Sequence, residues 1–322
     1  MRQFAKPTIV VSKCLEFDAC RYNGEMIPDV TIRNLQPFVT FIPVCPEVEI
    51  GLVTPRETIR IVEENGENRL VQPSTREDVT EKMEQFSNDF LQTISDVDGF
   101  ILKNRSPSCG TRDVKIYSGF EKAPAKGKGS GLFGGAVVKK FSHLPIEEEG
   151  RLSNFIIREH FFTRLFTIAY YKMIKHNKNM KDLVSFQSDN KYLFMAYNQV
   201  KQKELGRIIA NHKNEKIEVV FENYEKTLYE LFMRTPRYTS NVNVCEHIFG
   251  YFKTKLKKQE KDHFIELLQK YAEKKIPLSS LLTILKSWAI RFDEKYLLRQ
   301  TYFEPYPEAL VEISDSGKGR DY

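Results

Sequence analysis

Thr8-Ile9-Val10-Val11-Ser12-Lys13-Cys14 is the stretch that decides the fold class. A short β-branched run stops at a breaker, and a cysteine follows within two residues. The pattern returns twice. Phe38-Val39-Thr40-Phe41-Ile42-Pro43-Val44 runs into Cys45, and Gly99-Phe100-Ile101-Leu102-Lys103 leads to Ser106-Pro107-Ser108-Cys109. Continuous apolar runs of this length suit strands covered on both faces, as in a parallel sheet. Between the second and third runs, residues 75–96 place Val79, Met83, Phe86, Phe90, Leu91 and Ile94 at near-helical spacing. Strand, helix, strand predicts an α/β domain built in Rossmann-like layers on a parallel sheet. Ligands of such sheets bind beyond the carboxyl ends of the strands. Three cysteines far apart in sequence are therefore placed where they can meet.

Working outward, Pro145 and Glu147-Glu148-Glu149-Gly150 mark a boundary. Beyond it Phe155, Ile156, Phe161, Phe162, Leu165, Phe166, Ala169 and Tyr170 recur at about 3.6 residues, the stripe of an amphipathic helix. Helical patterns follow at about 191–211, 215–233, 241–257, 260–274 and 277–295, with little strand-like alternation. The second half reads as an all-α domain whose aromatic stripes form its core. The expected organisation is a domain over 1–145, a helical domain over 146–313, and a polar, disordered tail over 314–322.

With 322 residues, 41% hydrophobic and 29% charged, the chain is outside the disordered, collagenous and coiled-coil classes and suits two domains. The net charge is +6, from 49 Lys and Arg against 43 Asp and Glu, and the basic excess lies in the second half. That asymmetry points to a polyanion partner or to a solvated basic face. Thr8–Val11 is too short for a secretory signal, and no apolar run approaches the ~20 residues that span a bilayer. The expectation is a cytoplasmic protein with reduced thiols and no membrane partner. The five cysteines contain no CxxC pair, which argues against a zinc ribbon or a thioredoxin-type site. Gly129-Ser130-Gly131-Leu132-Phe133-Gly134 formally fits G-x-G-x-x-G. A Pro/Lys stretch rather than a strand precedes it, so it reads as a mobile loop or connector, and no nucleotide cofactor is expected.

The contexts of the cysteines say more than their number. Ser12-Lys13-Cys14-Leu15 through Cys20-Arg21-Tyr22-Asn23-Gly24, Pro43-Val44-Cys45-Pro46-Glu47, Gly51-Leu52-Val53-Thr54-Pro55-Arg56 and Ser106-Pro107-Ser108-Cys109-Gly110 resemble the thiouracil desulfidase family of iron–sulfur proteins over residues 8 to about 140. The second half resembles the YbgA-like domain over about 147–311, through Asn190-Lys191-Tyr192-Leu193, Glu204-Leu205-Gly206-Arg207, Asn243-Val244 with His247, Gly250-Tyr251-Phe252-Lys253 and Tyr302-Phe303-Glu304-Pro305-Tyr306-Pro307. The fused arrangement is similar to desulfidases acting on 4-thiouridine in transfer RNA. The sequence departs from the common pattern at Cys14-Leu15-Glu16-Phe17-Asp18, at Asn23 and at Val48-Glu49-Ile50-Gly51, all at the lip of the crevice.

The resemblance implies a [4Fe-4S] cluster held by Cys14, Cys45 and Cys109, with Cys20 supporting and Cys245 a core thiol. It implies Glu47 as the catalytic carboxylate and Ser106 as a second catalytic residue; in a second tier, Arg21, Tyr22 and Arg56 either contact the pyrimidine or a phosphate or pair with a buried carboxylate, and Ser108 is either a substrate contact or structural. Three soft thiolates leave one iron open to a soft thiocarbonyl sulfur, and water displaces that sulfur without net redox change or ATP. Without the family, Glu47 reads rather as an acidic residue favoured at a helix start. The helical half would dock transfer RNA through Arg234, Arg237, Lys253, Lys255, Lys257 and Lys258, with Lys172, Lys175, Lys178 and Lys181 a further basic series. Rival readings are a desulfidase of free thiouracil or thionucleotides, and a cluster-bearing RNA-binding or sensor protein without turnover.

Overall fold

The computed structural model describes residues 2–94, 96–120, 124–210 and 214–311; the expected tail over 314–322 lies outside them. The chain divides into two compact units. One runs to Ala169 and takes up the chain again at Pro307; the other is Tyr170–Tyr306.

The first unit opens with β1 (Thr8–Ser12), α1 (Val30–Leu35), β2 (Thr40–Val44) and the one-turn α2 (Pro46–Glu49). Asp29 caps α1 by accepting the Ile32 N–H at 2.9 Å. Next come β3 (Arg60–Glu64), β4 (Glu67–Gln72), β5 (Glu77–Asp78), α3 (Thr80–Thr93) and β6 (Gly99–Leu102). Then follow β7 (Val114–Tyr117), β8 (Ala125–Gly129), α4 (Leu132–Phe141), β9 (Ile146–Glu148), α5 (Glu149–Leu152) and the long α6 (Phe155–Asn177), inside which the two units divide.

The expected parallel sheet is present, in the order β2-β1-β6-β9. Thr8 pairs with Thr40, Ile9 with Gly99, and Phe100 with Ile146, all in parallel. Ile9, Val10, Val11, Phe100, Ile101 and Leu102 are fully buried, as strands covered on both faces require. The fourth strand, β9, takes in Glu147 and Glu148 of the acidic run read above only as punctuation.

A second sheet, β5-β4-β3-β7-β8, is mostly antiparallel and was not anticipated. Its β3–β4 hairpin turns at Asn65-Gly66, both in the left-handed region at φ 52° and 85°, the chemistry of a two-residue primed turn. β8 corrects the reading of the glycine segment: a strand does run directly into Gly129. Gly131 and Gly134 serve packing instead. A Cβ at Gly131 would lie 2.5 Å from the Ser108 carbonyl oxygen, and one at Gly134 would lie 2.4 Å from those of Cys109 and Gly110.

The second unit holds α7 (Met180–Asp189), α8 (Lys191–Tyr197), α9 (Gln199–Ala210), α10 (Ile217–Leu231), α11 (Tyr238–Gly250), α12 (Lys258–Ala272), α13 (Leu278–Arg291) and α14 (Lys295–Leu298). The single helix expected over 191–211 is two, because Asn198 leaves the helical region and its side chain accepts the Val200 and Lys201 N–H groups, capping α9. Asn179 likewise caps the unforeseen α7. The core is aromatic: Tyr171, Phe186, Phe194, Phe221, Tyr224, Phe232 and Phe252 are essentially inaccessible, each worth about 1.5–3 kcal/mol of burial. On α6 the expected stripe begins late. Phe161, Phe162, Leu165 and Phe166 are buried, but Phe155 and Ile156 are exposed. Among the described residues no helix is long and apolar enough to cross a membrane.

Candidate functional site

The carboxyl ends of the four parallel strands carry all the chemistry singled out in the first half. Cys14 lies two residues past β1, with the Lys13 N–H donating to the Val44 carbonyl of β2 at 2.8 Å. Cys45 ends β2 and starts α2, where Pro46 occupies the first helical position. Cys109 follows β6 on the loop 103–113. Cys45 and Cys109 are buried and Cys14 is partly exposed. The three thiols sense one another electrostatically, so they share one neighbourhood.

Cys20 joins them. Its thiol donates to Cys45, whose Sγ lies 3.9 Å from the Cys20 carbonyl oxygen. That bond brings the Cys45 thiol down to about 7 against the opposing effect of burial. The same bond and burial push Cys20 up. Burial, reinforced by Cys45, raises Cys14 to about 12 while Lys103 opposes it. Cys109 is raised by burial, with Ser12 opposing. Cys245 lies elsewhere, buried in the second unit's core against the Tyr302 hydroxyl at 3.8 Å.

Glu47 is the second residue of α2 and is fixed from both sides. Its Oε2 accepts from Arg56 Nε at 3.0 Å and Nη2 at 2.6 Å, and its Oε1 accepts from Ser108 Oγ at 2.6 Å. Ser108 Oγ lies 2.9 Å from Ser106 Oγ, which also accepts the Cys109 N–H at 3.1 Å. The result is one chain, Ser106–Ser108–Glu47–Arg56, spanning two strand ends. Arg56 is nearly inaccessible and donates further to the Cys20 carbonyl and Thr54 Oγ1, both at 3.1 Å. Fork geometry of this kind is what arginine supplies and lysine does not.

Arg21 and Tyr22 are at the rim. Arg21 stacks on the Tyr22 ring at 5.1 Å and lies 3.6 Å from Glu25. The Tyr22 carbonyl takes the Arg56 N–H at 2.7 Å, which ties this loop to the carboxylate network.

Residues not singled out as site residues brace the Cys109 loop. Glu148, buried, accepts from Thr111 N at 2.7 Å, Thr111 Oγ1 at 3.0 Å and Arg112 N at 3.2 Å. Glu149 accepts from the Asn104 N–H at 2.7 Å and pairs with Lys103. The start of α4 spends its amides on the same loop: Gly131 N donates to Gly110 O at 2.7 Å, Leu132 N to Pro107 O at 3.2 Å, and Gly134 N to Ser108 O at 2.9 Å. These amides cradle no phosphate. The available signal was position: Glu148 ends a short strand and Glu149 follows it, near a strand end as the cysteines are.

Three thiols at neighbouring strand ends are a soft donor set, and they fit an iron–sulfur group. Among the described residues no three His, Cys, Asp or Glu side chains converge as a site for one metal ion.

Of the basic residues singled out in the second half, Lys172 and Lys175 are half-buried and the others are exposed. Arg234 and Arg237 lie in the loop before α11. Lys253, Lys255 and Lys257 lie in the turns after it, and Lys258 opens α12. Lys255 pairs with Glu294, and Lys175 and Lys178 pair with Glu225 and Glu218.

Residues 9–149 match the family described as 2-thiouracil desulfurase, and residues 191–307 match a family described as protein of unknown function (DUF1722). The uncharacterized protein YbbK of Bacillus subtilis is 36% identical over 118 residues, covering 34% of this chain and 77% of that protein. The uncharacterized protein YbgA of Escherichia coli is 23% identical over 156 residues, covering 48% and 92%. Among solved structures, the [4Fe-4S]-dependent thiouracil desulfidase TudS is similar at 25% identity and a TM-score of 0.37, over 46% of this chain and 93% of that one.

Proposed function

Through its first unit the chain belongs to the 2-thiouracil desulfurase family, and from that premise we propose that it removes sulfur from 4-thiouridine in transfer RNA, giving uridine and hydrogen sulfide. The observation that carries this reading is the carboxylate of Glu47, fixed between Arg56 and Ser108 at the strand ends where Cys14, Cys45 and Cys109 gather. Cys14, Cys45 and Cys109 would hold a [4Fe-4S] cluster. Bound there, it supplies an iron without a protein ligand, a Lewis acid for the thiocarbonyl sulfur.

The chain's own residues do the rest. Glu47 takes a proton from water as its oxygen adds to C4 of the base and passes it to the sulfur, then relays the second proton from that oxygen as the C4–S bond breaks, so that the carbonyl forms and the sulfur leaves as hydrogen sulfide. Arg56 holds one carboxylate oxygen fixed, so the other faces the reaction with a single orientation. Ser108 donates to that second oxygen and links it to Ser106, whose hydroxyl orients the pyrimidine. The carbon exchanges sulfur for oxygen at constant oxidation state, so no reductant or nucleotide is consumed. The basic second unit supplies phosphate contacts, which favours RNA over a free base.

The test is desulfuration of bulk bacterial transfer RNA by anaerobically prepared protein, following the ultraviolet absorbance of 4-thiouridine together with released sulfide. Loss of the thionucleoside with matching sulfide supports the reading. Glu47→Gln should retain iron and lose about 100-fold or more in turnover. Cys14→Ala, Cys45→Ala and Cys109→Ala should each lose iron. Intact thiolated RNA beside rapid turnover of free 2-thiouracil would move the substrate to small molecules. RNA binding without turnover of either substrate would favour a sensor.

A further inference from the structure

We infer that a cleft between α11 and the end of α12 seats one unpaired nucleotide of an RNA strand. This rests on the proposal that the substrate is RNA, and it adds where that strand is gripped. The cleft has a volume of about 340 Å³ and is lined by Tyr238, Tyr271, Lys274, Lys275, Ile276 and Pro277. That volume is at the small end of ligand sites, enough for one base and part of its sugar.

The local sequence builds it. Tyr238 is the first residue of α11, and α12 ends at Ala272. Lys274 then takes a left-handed conformation, φ 60°, and turns the chain toward Pro277. The Lys274 N–H bonds the Tyr271 carbonyl at 2.9 Å and the Lys275 N–H bonds that of Lys270 at 2.8 Å, so the turn is fixed. It carries the Lys274 ammonium to 5.4 Å from the centre of the Tyr238 ring. Tyr271 forms the other wall, its hydroxyl 3.2 Å from Asn241 Nδ2.

Three features select the occupant. Tyr238 is 42% exposed with the Lys274 ammonium over its ring, and every nucleobase has a π-face that an aromatic ring and a cation both accept. Among the described residues no carboxylate lines the cleft; Lys275 pairs with Glu273 at 2.6 Å, and Lys274 carries its charge over the ring. Arg234 and Arg237 stand exposed in the loop that runs into Tyr238. The unit Tyr170–Tyr306 holds 25 lysines and arginines against 16 carboxylates. A polyanion with stackable, unpaired bases is the chemistry that this cleft complements; a duplex keeps its base faces covered.

The experiment uses the full chain and a 5′-labelled dodecauridylate in fluorescence anisotropy across a salt series. Tyr238→Ala should weaken binding about tenfold, and Tyr238→Phe should retain wild-type affinity because the ring face is kept. Lys274→Ala with Lys275→Ala should lower the salt slope by about 1.4, the yield of two phosphate contacts on a single strand. Circular dichroism melting shows that each variant is folded. Unchanged affinity in folded Tyr238→Ala overturns the inference. So does equal weakening in Tyr238→Phe, which would assign the effect to the hydroxyl. The probe carries no sulfur, so the two readings fail separately. Binding through Tyr238 with thiolated transfer RNA left intact sinks the enzyme and keeps the cleft. Desulfuration indifferent to Tyr238→Ala sinks the cleft and keeps the enzyme.

Discussion

Glu47, Glu148 and Glu149 in the first unit, and Glu218, Glu230 and Glu294 in the second, all accept charged or polar donors, yet they stand in opposite settings. The first three are largely buried and bind groups distant in sequence: Ser108, Arg56, Thr111, Lys103 and Asn104. The second three are partly to half exposed, and each pairs with a lysine ammonium, from Lys178, Lys201 and Lys255. A buried pair stripped of one partner strands a charge in low dielectric. An exposed pair returns its charges to water at almost no cost. Carboxylates therefore hold together the strand-end loops of one unit, while aromatic rings hold together the other and leave its lysines available to solution.

That contrast can be broken by substitution. Arg56→Ala should have the largest effect, about 3–5 kcal/mol, read as a lower urea midpoint by circular dichroism; a shift below 1 kcal/mol would place Glu47 among the ordinary surface pairs. Gly134→Ala comes next, at about 1–3 kcal/mol, because its Cβ would meet two backbone oxygens at 2.4 Å rather than a side chain that can swing away.

A third test concerns two half-buried titratable groups. Glu159 and His160 are neighbours on α6. Burial holds Glu159 up to about 7 and His160 down to about 4. Glu159 keeps its proton in the folded state beyond its ordinary 4.5, so its contribution to stability falls as pH rises from 4.5 to 7. His160 refuses a proton that the unfolded chain takes below 6.5, so its contribution falls as pH drops from 6.5 to 4. The two slopes oppose each other in the shared window. Glu159→Gln should leave stability rising with pH between 4 and 6.5, and His160→Gln should leave it falling between 4.5 and 7. Each slope approaches about 1.4 kcal/mol per pH unit, measured by melting at stepped pH; flat profiles in both variants would refute the assignment. The smallest effect is expected from Lys255→Ala, about 0–1 kcal/mol, followed by the fluorescence of Trp288, the chain's single tryptophan, in the second unit.

The parallel sheet was legible because burial on both faces demands unbroken apolar runs, and Ile9–Val11 and Phe100–Leu102 supply them. The second sheet was not. Arg60–Glu64, Glu67–Gln72 and Ala125–Gly129 are polar enough to pass for loops, and only Asn65-Gly66 announced the hairpin. In the site, the cysteines and Glu47 stood out by their local contexts. Glu148 and Glu149 did not, because their partners lie 36 to 46 residues away. An acidic run read along the chain looks like punctuation. Its role depends on which strand it terminates, and strand order is a property of the folded sheet.

The order β2-β1-β6-β9 also fixes a schedule for synthesis. The edge strand that completes the sheet is the last to be made, and the two carboxylates that secure the Cys109 loop lie at its end and just beyond it. A nascent chain that has reached residue 120 already contains all four thiols of the site, yet it lacks Gly131, Gly134, Glu148 and Glu149. Its thiols are therefore unguarded while roughly thirty more residues are translated, a matter of seconds at ordinary rates. Whatever loads this site meets a finished receptacle only after residue 149 has cleared the ribosome, and oxidative damage to these cysteines should concentrate on the unfinished chain.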